Sequence, residues 1–262
     1  MDFGETTNEP KKIAYKVEIT EVQDYNNDGA VNLADVKYLM QNDRNVISIL
    51  KGNGDFRSKE CIDLLKQADI VVTNPPFSLF REFIALIMQY KKHFLVLGNQ
   101  NAITYKEIFK YIRDNELWLG YKSGDMSFRV PDYFEPRETR YWVDESGQKW
   151  RSMGNICWFT NLDIQKRHEE LDLFKCYSVE EYPFYDTYNA INVNKVSDIP
   201  CNFEGIMGVP ITFLDKYNPE QFELIGIDRY VEDNPNYGKR FSIGGKEIYA
   251  RILIRNKKPQ KP

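Results

Sequence analysis

The stretch that decides the fold is Asp69-Ile70-Val71-Val72-Thr73-Asn74-Pro75-Pro76-Phe77. DIVVT is short and mostly apolar, as in a buried parallel strand. The prolines after it lack backbone N–H groups and cannot extend a ladder. Residues 78–91 then place Leu79, Phe83, Ile84, Ile87 and Met88 at helical spacing. Strand, rigid turn and helix form the repeating unit of a parallel sheet. Ligands of such sheets bind beyond the carboxyl ends of the strands.

The same alternation extends outward. HFLVLG at 93–98 reads as the next buried strand, and 104–114 as a helix with Thr104 as N-cap and Glu107 three residues on. Another strand begins at 117–119. Upstream, 12–22 alternates Ile13, Tyr15, Val17 and Ile19 like a strand, and an amphipathic helix runs through Val36 and Leu39. Residues 58–68 form a helix with Cys61, Leu64 and Leu65 on one face. This pattern predicts an α/β fold, a parallel sheet with helices on both faces. After about residue 121 the pattern changes. Residues 129–151 are irregular, aromatic and charged, with Tyr133, Phe134, Trp142 and Trp150. Strand-like runs return at 154–161, 205–214, 222–227 and 247–254.

Composition narrows the class. The 262 residues suit one large domain or a domain with an appendage, and 42% hydrophobic content excludes bulk disorder. No apolar stretch nears the roughly 20 residues of a membrane helix, and the polar N-terminus is no signal peptide, so a cytoplasmic chain without a membrane partner is expected. Net charge is -4, with the acidic excess wholly in residues 1–80. Residues 238–262 carry 8 basic residues and one acid, either a phosphate-touching run or a solubilising terminus. Cys61, Cys157, Cys176 and Cys201 lie far apart, as in a reduced protein, and His93 and His168 are isolated, which disfavours a histidine metal site.

Three motifs carry chemistry. Asn74 offers a side-chain acceptor, Pro75 a backbone carbonyl and Phe77 a ring, while Pro75 and Pro76 stiffen the backbone. Two acceptors beside an aromatic face suit a planar ring bearing an amino group; a plain turn is the alternative. In Gly52-Asn53-Gly54-Asp55-Phe56 the glycines let the backbone approach a ligand, and Asp55 is either a ligand contact or a cap near Ser58. Asp24, Asn26, Asp28, Asn32 and Asp35, with Gly29 between, match the oxygen spacing of an EF-hand-type calcium loop. Asp35 at the last position, after Val31 and Asn32, resembles the dockerin version, of which there is one copy. The alternative is an Asx-rich turn before a helix.

The Asn-Pro-Pro-Phe string after a strand resembles the signature of amino-directed S-adenosylmethionine methyltransferases. The runs GNGDFRSKECIDLLKQADIVVTNPPFSLFREF, FLVLGNQNAITYKEIF and MGVPITFLDKYNPEQFELIGI are similar to the EcoRI-type adenine-specific DNA methyltransferase family. The resemblance implies a Rossmann-like class I methyltransferase sheet, with a catalytic core at 11–120 carrying the inserted 24–35 loop. It places the remaining strands and a DNA-contacting region at 121–262. It implies methylation of the adenine 6-amino group in double-stranded DNA, within a restriction-modification system and without an obligate protein partner. Asn74 and the Pro75 carbonyl would accept from that amino group, Pro76 would hold the turn, and Phe77 would stack on the extruded base. Asp55 and Phe56 would contact the adenine of S-adenosylmethionine. The family's glycine-rich cofactor loop is not found; Asp2-Phe3-Gly4 lacks a preceding strand, and Glu18 and Glu21 are the weak candidates for holding ribose. The chain is therefore expected to begin inside the family's fold. An inactive nucleic-acid-binding remnant and a methyltransferase acting on RNA or protein glutamine are the alternatives.

Overall fold

The computed structural model describes residues 13–42, 47–232 and 234–260. The chain forms two compact units, Met1–Ala68 and Asp69–Pro262.

In the first unit, β1 (Tyr15–Val17) is followed by α1 (Leu33–Asn42), β2 (Ile47–Ile49) and α2 (Lys59–Gln67). The predicted strand at 12–22 narrows to three residues, which pair antiparallel with β2, Tyr15 opposite Ile49. The Tyr15 and Ile49 side chains stay exposed, so the alternation at 13–19 marks a short ribbon rather than a core strand. Helix α2 matches its expected span. Its N-cap is Ser58, whose hydroxyl accepts from the Cys61 N–H at 3.3 Å.

The second unit opens with β3 (Ile70–Thr73), α3 (Phe80–Gln89), β4 (His93–Asn99) and α4 (Lys106–Arg113). It continues with β5 (Trp118–Arg129), β6 (Tyr141–Val143) and β7 (Lys149–Thr160). One sheet has the order β3-β4-β7-β5, with β6 also on β7. Strands β3 and β4 are parallel, and β7 is antiparallel to both β4 and β5, so β3, β4 and β5 share one direction. A second sheet follows from β8 (Ile191–Asn192), β9 (Ile206–Pro210), β10 (Phe222–Ile227) and, after the small hairpin of β11 (Ser242–Ile243) and β12 (Lys246–Glu247), β13 (Arg251–Asn256). Its order is β10-β13-β9-β8.

One apolar cluster joins these elements. Phe80, Ile84 and Ile87 of α3 and Ile108, Phe109 and Ile112 of α4 meet Phe94, Val96 and Phe159 of the first sheet and Phe222, Ile252 and Ile254 of the second. Each such side chain contributes roughly 1.5–3 kcal/mol by leaving water, which locks both helices onto the strands they follow.

The fold is mixed α/β, and it corrects several expectations. The parallel arrangement is confined to β3–β4 within the first sheet. The opposite face holds Leu97, Met126 and Ile156 with Phe128 and Trp158, a cluster containing no helical residue. Strand β3 is not buried: Ile70 and Val72 are 50% and 65% exposed, because β3 pairs with β4 alone among the described residues. Thr104 does not cap α4. Its hydroxyl donates to the Asn101 carbonyl at 2.8 Å inside a 3-10 turn, Gln100–Thr104, and Tyr105 occupies the cap position without a side-chain bond. The run at 205–214 divides at Pro210 into β9 and a 3-10 turn, Ile211–Lys216. Among the described residues no helix is long and apolar enough to cross a membrane.

Candidate functional site

The 74–77 turn leaves β3 at its carboxyl end, beside the start of the Gln100–Thr104 turn at the same end of β4, since Thr73 is paired in register with Val96. Pro75 is buried, while Asn74 and Pro76 are exposed and Phe77 is 36% exposed. Pro76 has φ -55° and ψ 127°, an extended conformation a proline adopts without strain, and its carbonyl accepts from the Leu79 N–H at 2.9 Å. The turn therefore passes directly into a 3-10 turn, Phe77–Leu79, and then α3. The Asn74 carboxamide makes no hydrogen bond within the described residues. The four residues named from the sequence thus lie together as an exposed amide and ring on a rigid support.

That support was missed in the sequence. Phe80 is fully buried against Phe159, with ring centroids 4.9 Å apart, and crosses β4 at Gly98. A Cβ at Gly98 would lie 2.5 Å from the Phe80 ring and 2.9 Å from the Phe159 ring. Gly98 is thus what lets the first residue of α3 seat against the sheet and so fixes where the turn ends. The available signal was a glycine inside an otherwise apolar strand, which marks a close approach. At the other end of the turn region, Arg81 of α3 lies over the Tyr105 ring at 5.3 Å.

Asp55 and Phe56 belong to the first unit, in a loop closed by Glu60, whose two carboxylate oxygens accept from the Lys51 N–H at 3.2 Å and the Gly52 N–H at 2.9 Å. Gly54 has φ +78°, and a Cβ there would meet that of Ala14 at 2.9 Å, so glycine is required on both counts. Asp55 is held by Arg57: Oδ1 accepts from its backbone N–H at 2.8 Å and its Nε at 3.0 Å, and Oδ2 from Nη2 at 2.7 Å. This guanidinium holds the Asp55 carboxyl at about 2, well below the usual carboxylate range. A carboxylate has about four acceptor sites, so Oδ2 retains capacity for one more donor. The loop therefore fits a single amino-group contact from a cofactor, with Asp55 kept ionised and oriented by Arg57. Phe56 sits half-buried beside it, with the Arg57 guanidinium 5.2 Å from its ring.

The 24–35 loop is organised differently. Asp24 accepts from the N–H groups of Asp28 at 3.1 Å and Gly29 at 2.8 Å; Asp28 accepts from Ala30 N–H at 2.9 Å and from the Asn26 amide at 2.9 Å. Asp35 is fully buried and accepts from the N–H groups of Tyr25, Asn26 and Asn32. These donors, Asn32 foremost, hold its carboxyl below the usual range. Among the described residues no group of three or more His, Cys, Asp or Glu side chains is placed to hold a metal ion. The oxygens accept from the loop's own backbone, the arrangement of an Asx-rich turn before α1, while the carboxylates keep acceptor capacity beyond these bonds, so calcium at this loop stays an expectation.

The aromatic, basic segment at 129–151 is a hairpin extension in which cations pack on rings. Arg129 lies 5.4 Å from the Trp150 ring, and Arg137 and Arg151 lie 5.8 and 5.6 Å from that of Phe134. Three of the 8 basic residues of the C-terminal run are engaged near its end: Arg255 with Glu223 at 2.9 Å, Lys258 with Glu170 at 2.8 Å, and Lys257 on the Pro219 carbonyl at 2.8 Å. All four cysteines are free thiols, with Cys157 and Cys201 buried.

Comparison with known proteins decides the family. The family described as "Adenine-specific methyltransferase EcoRI" matches residues 1–257. The chain belongs to the EcoRI-type adenine-specific methyltransferase family. It is 51% identical over 219 residues to the type II methyltransferase M.EcoRI of Escherichia coli, covering 82% of this chain and 66% of that protein, just under two thirds of it. It is 44% identical over 223 residues to M.MgeORF184P of Mycoplasma genitalium and 40% identical over 227 residues to M.MpnI of Mycoplasma pneumoniae, covering 79% of this chain and 70% of each. No solved structure matches the chain. Within this family the Asn-Pro-Pro-Phe turn is the natural focus, because it presents an amide with no partner of its own.

Proposed function

We propose that this chain transfers a methyl group from S-adenosylmethionine to the 6-amino group of adenine in double-stranded DNA, as the modification enzyme of a restriction-modification system. The observation that carries the reading is the exposed, unpartnered Asn74 amide on a proline-stiffened turn at the carboxyl end of β3. Family membership supports it, as do the shared direction of β3, β4 and β5 with β7 reversed among them, which suits part of a Rossmann-like methyltransferase sheet.

S-adenosylmethionine, when bound, supplies an electrophilic methyl group. The Asn74 carboxamide oxygen and the Pro75 carbonyl accept from the two hydrogens of the adenine amino group. That pulls the nitrogen lone pair out of conjugation; the nitrogen–carbon bond would form as the methyl–sulfur bond breaks, leaving S-adenosylhomocysteine, and the methylated nitrogen would then lose one proton to solvent. Phe77 stacks on the base once it leaves the duplex. Because the turn is rigid, the acceptors need no reorganisation when positive charge develops on the nitrogen. Asp55 would accept from the cofactor's adenine amino group and Phe56 would bound that ring. Cationic side chains of the 129–151 hairpin hold the DNA backbone.

The test is transfer of labelled methyl groups to DNA. Asn74→Ala is expected to lower the rate by roughly 10²–10³, the usual loss for one preorganised hydrogen-bonding group at a site of developing charge. Equal labelling by variant and parent would remove Asn74 from the chemistry. A second reading, nucleic-acid binding without methyl transfer, is favoured by one observation: both Asp55 oxygens already accept from Arg57. Calorimetric titration with S-adenosylmethionine separates the two, since micromolar binding defeats the second.

A further inference from the structure

Strand β10 ends at Ile227, and Asp228 then turns out of it with φ +41°, its N–H donating to the Arg251 carbonyl at 2.7 Å. The residue is 7% exposed, and its two oxygens differ: among the described residues Oδ1 has no hydrogen-bond donor, while Oδ2 faces Arg229 Nε at 3.6 Å. A buried acceptor without a donor is rare in a native fold and calls for a reason. Burial pushes the Asp228 carboxyl above its ordinary range, with Arg240 and Arg229 pulling it back.

Asp228 forms part of the wall of a cavity of about 270 Å³. Three phenol rings, Tyr105, Tyr230 and Tyr249, and two guanidinium groups, Arg229 and Arg240, share that wall. Tyr249 is 63% exposed, so its ring is open to a partner. Tyr105 ties the cavity to α3 through Arg81, the helix that begins where the 74–77 turn ends.

The charges narrow the ligand. Two guanidinium groups beside one carboxylate repel a cation, and no metal-holding cluster exists among the described residues. The carboxylate in turn repels an anion at its own position. What remains is a neutral donor next to Asp228, attached to something flat for the rings and something anionic for the arginines. The volume lies below the roughly 300–1,000 Å³ that enclose a whole drug-sized ligand, so it has room for one ring system.

We propose that this cavity takes a DNA nucleotide, with the Asp228 carboxylate accepting from an exocyclic base amino group, Tyr105 and Tyr249 flanking the base, and Arg229 and Arg240 meeting phosphate. A carboxylate turns readily about its last bond, which brings an oxygen to the cavity side. The inference deepens the DNA reading above, on which it rests for its ligand. It makes the cavity a second base-binding place besides the 74–77 turn, one that sets sequence preference. Thymine, which has no amino group, is excluded there.

The experiment selects bound duplexes from a randomised DNA library with the wild-type chain, Asp228→Gly and Tyr249→Ala, and measures labelled methyl transfer on the same preparations. Glycine suits the left-handed backbone at 228, and Tyr249 is a surface ring, so Tyr249→Ala still decides the matter should Asp228→Gly misfold. The wild type is expected to select against thymine at one position by tenfold or more, and each variant to lose that preference while still binding DNA. Unchanged sequence preference in the variants overturns the proposal, as does a wild type with no preference or no DNA binding. A wild type that selects duplexes but transfers no methyl breaks the enzymatic reading and leaves the cavity's role standing. Methyl transfer with unaltered selection by the variants does the reverse.

Discussion

The 74–77 turn and the 24–35 loop are both polar motifs announced by spacing, and they end in opposite states. In the 24–35 loop the carboxylates of Asp24, Asp28 and Asp35 all accept from the loop's own N–H groups and side chains. In the turn, Asn74 has no partner among the described residues and stands exposed on a backbone that two prolines hold still. Spacing alone does not separate a site from a cap. What differs between the two is whether the polar atoms already have donors within the protein. Asp228 extends the contrast to a buried position.

The sharpest way to break this comparison is the Asn74→Ala change described above, where the loss is read in rate and not in stability, since the amide holds nothing in the resting fold. The next is Gly98→Ala. The added methyl would lie 2.5 Å from the buried Phe80 ring, so Phe80 must move or the strand must bend. Overpacking of this kind costs about 1–3 kcal/mol, read as a lower thermal midpoint. Because Phe80 begins α3, methyl transfer is expected to fall further than stability alone accounts for. A variant with parental stability and rate would show that the turn is held by something other than this contact.

How far these features were legible from the residues follows the same line. Periodicity found α2, α3 and β4, and in α3 and β4 the apolar face packs into the core, while the proline pair located the turn without any tertiary information. The exposure of β3 was not legible, since Ile70 and Val72 look apolar whether or not a neighbour covers them. The state of the 24–35 loop was hidden for a related reason. EF-hand and Asx-cap loops use the same residues at the same spacing, so residue types alone do not tell them apart. Residue types likewise gave no sign that Asp55 is occupied by Arg57, two residues on.

That pair makes the third prediction. Its folded carboxyl near 2 lies below the ordinary carboxylate value, so its contribution to stability is present above about pH 4 and lost as pH falls toward 2. Arg57→Ala is expected to return the Asp55 carboxyl toward about 3.9, as followed by carboxyl NMR titration. It should also weaken S-adenosylmethionine binding if Arg57 orients Asp55 for the cofactor. Stronger cofactor binding in the variant would mean that Arg57 competes for the carboxylate instead.

The smallest expected effect tests the other half of the comparison. If the 24–35 loop is closed by its own hydrogen bonds, a chelator should leave the thermal midpoint where it was, and added calcium should not raise it. Asp35→Ala should loosen the loop, because the N–H groups of Tyr25, Asn26 and Asn32 lose their common acceptor. Faster amide exchange at those three positions is the direct readout. A ligand that binds the folded state stabilises it by mass action, so a calcium-dependent rise in midpoint would show that the ion outcompetes the backbone donors for these carboxylates. The contrast would then be one of occupancy, with Asn74 waiting for a base and the loop waiting for an ion.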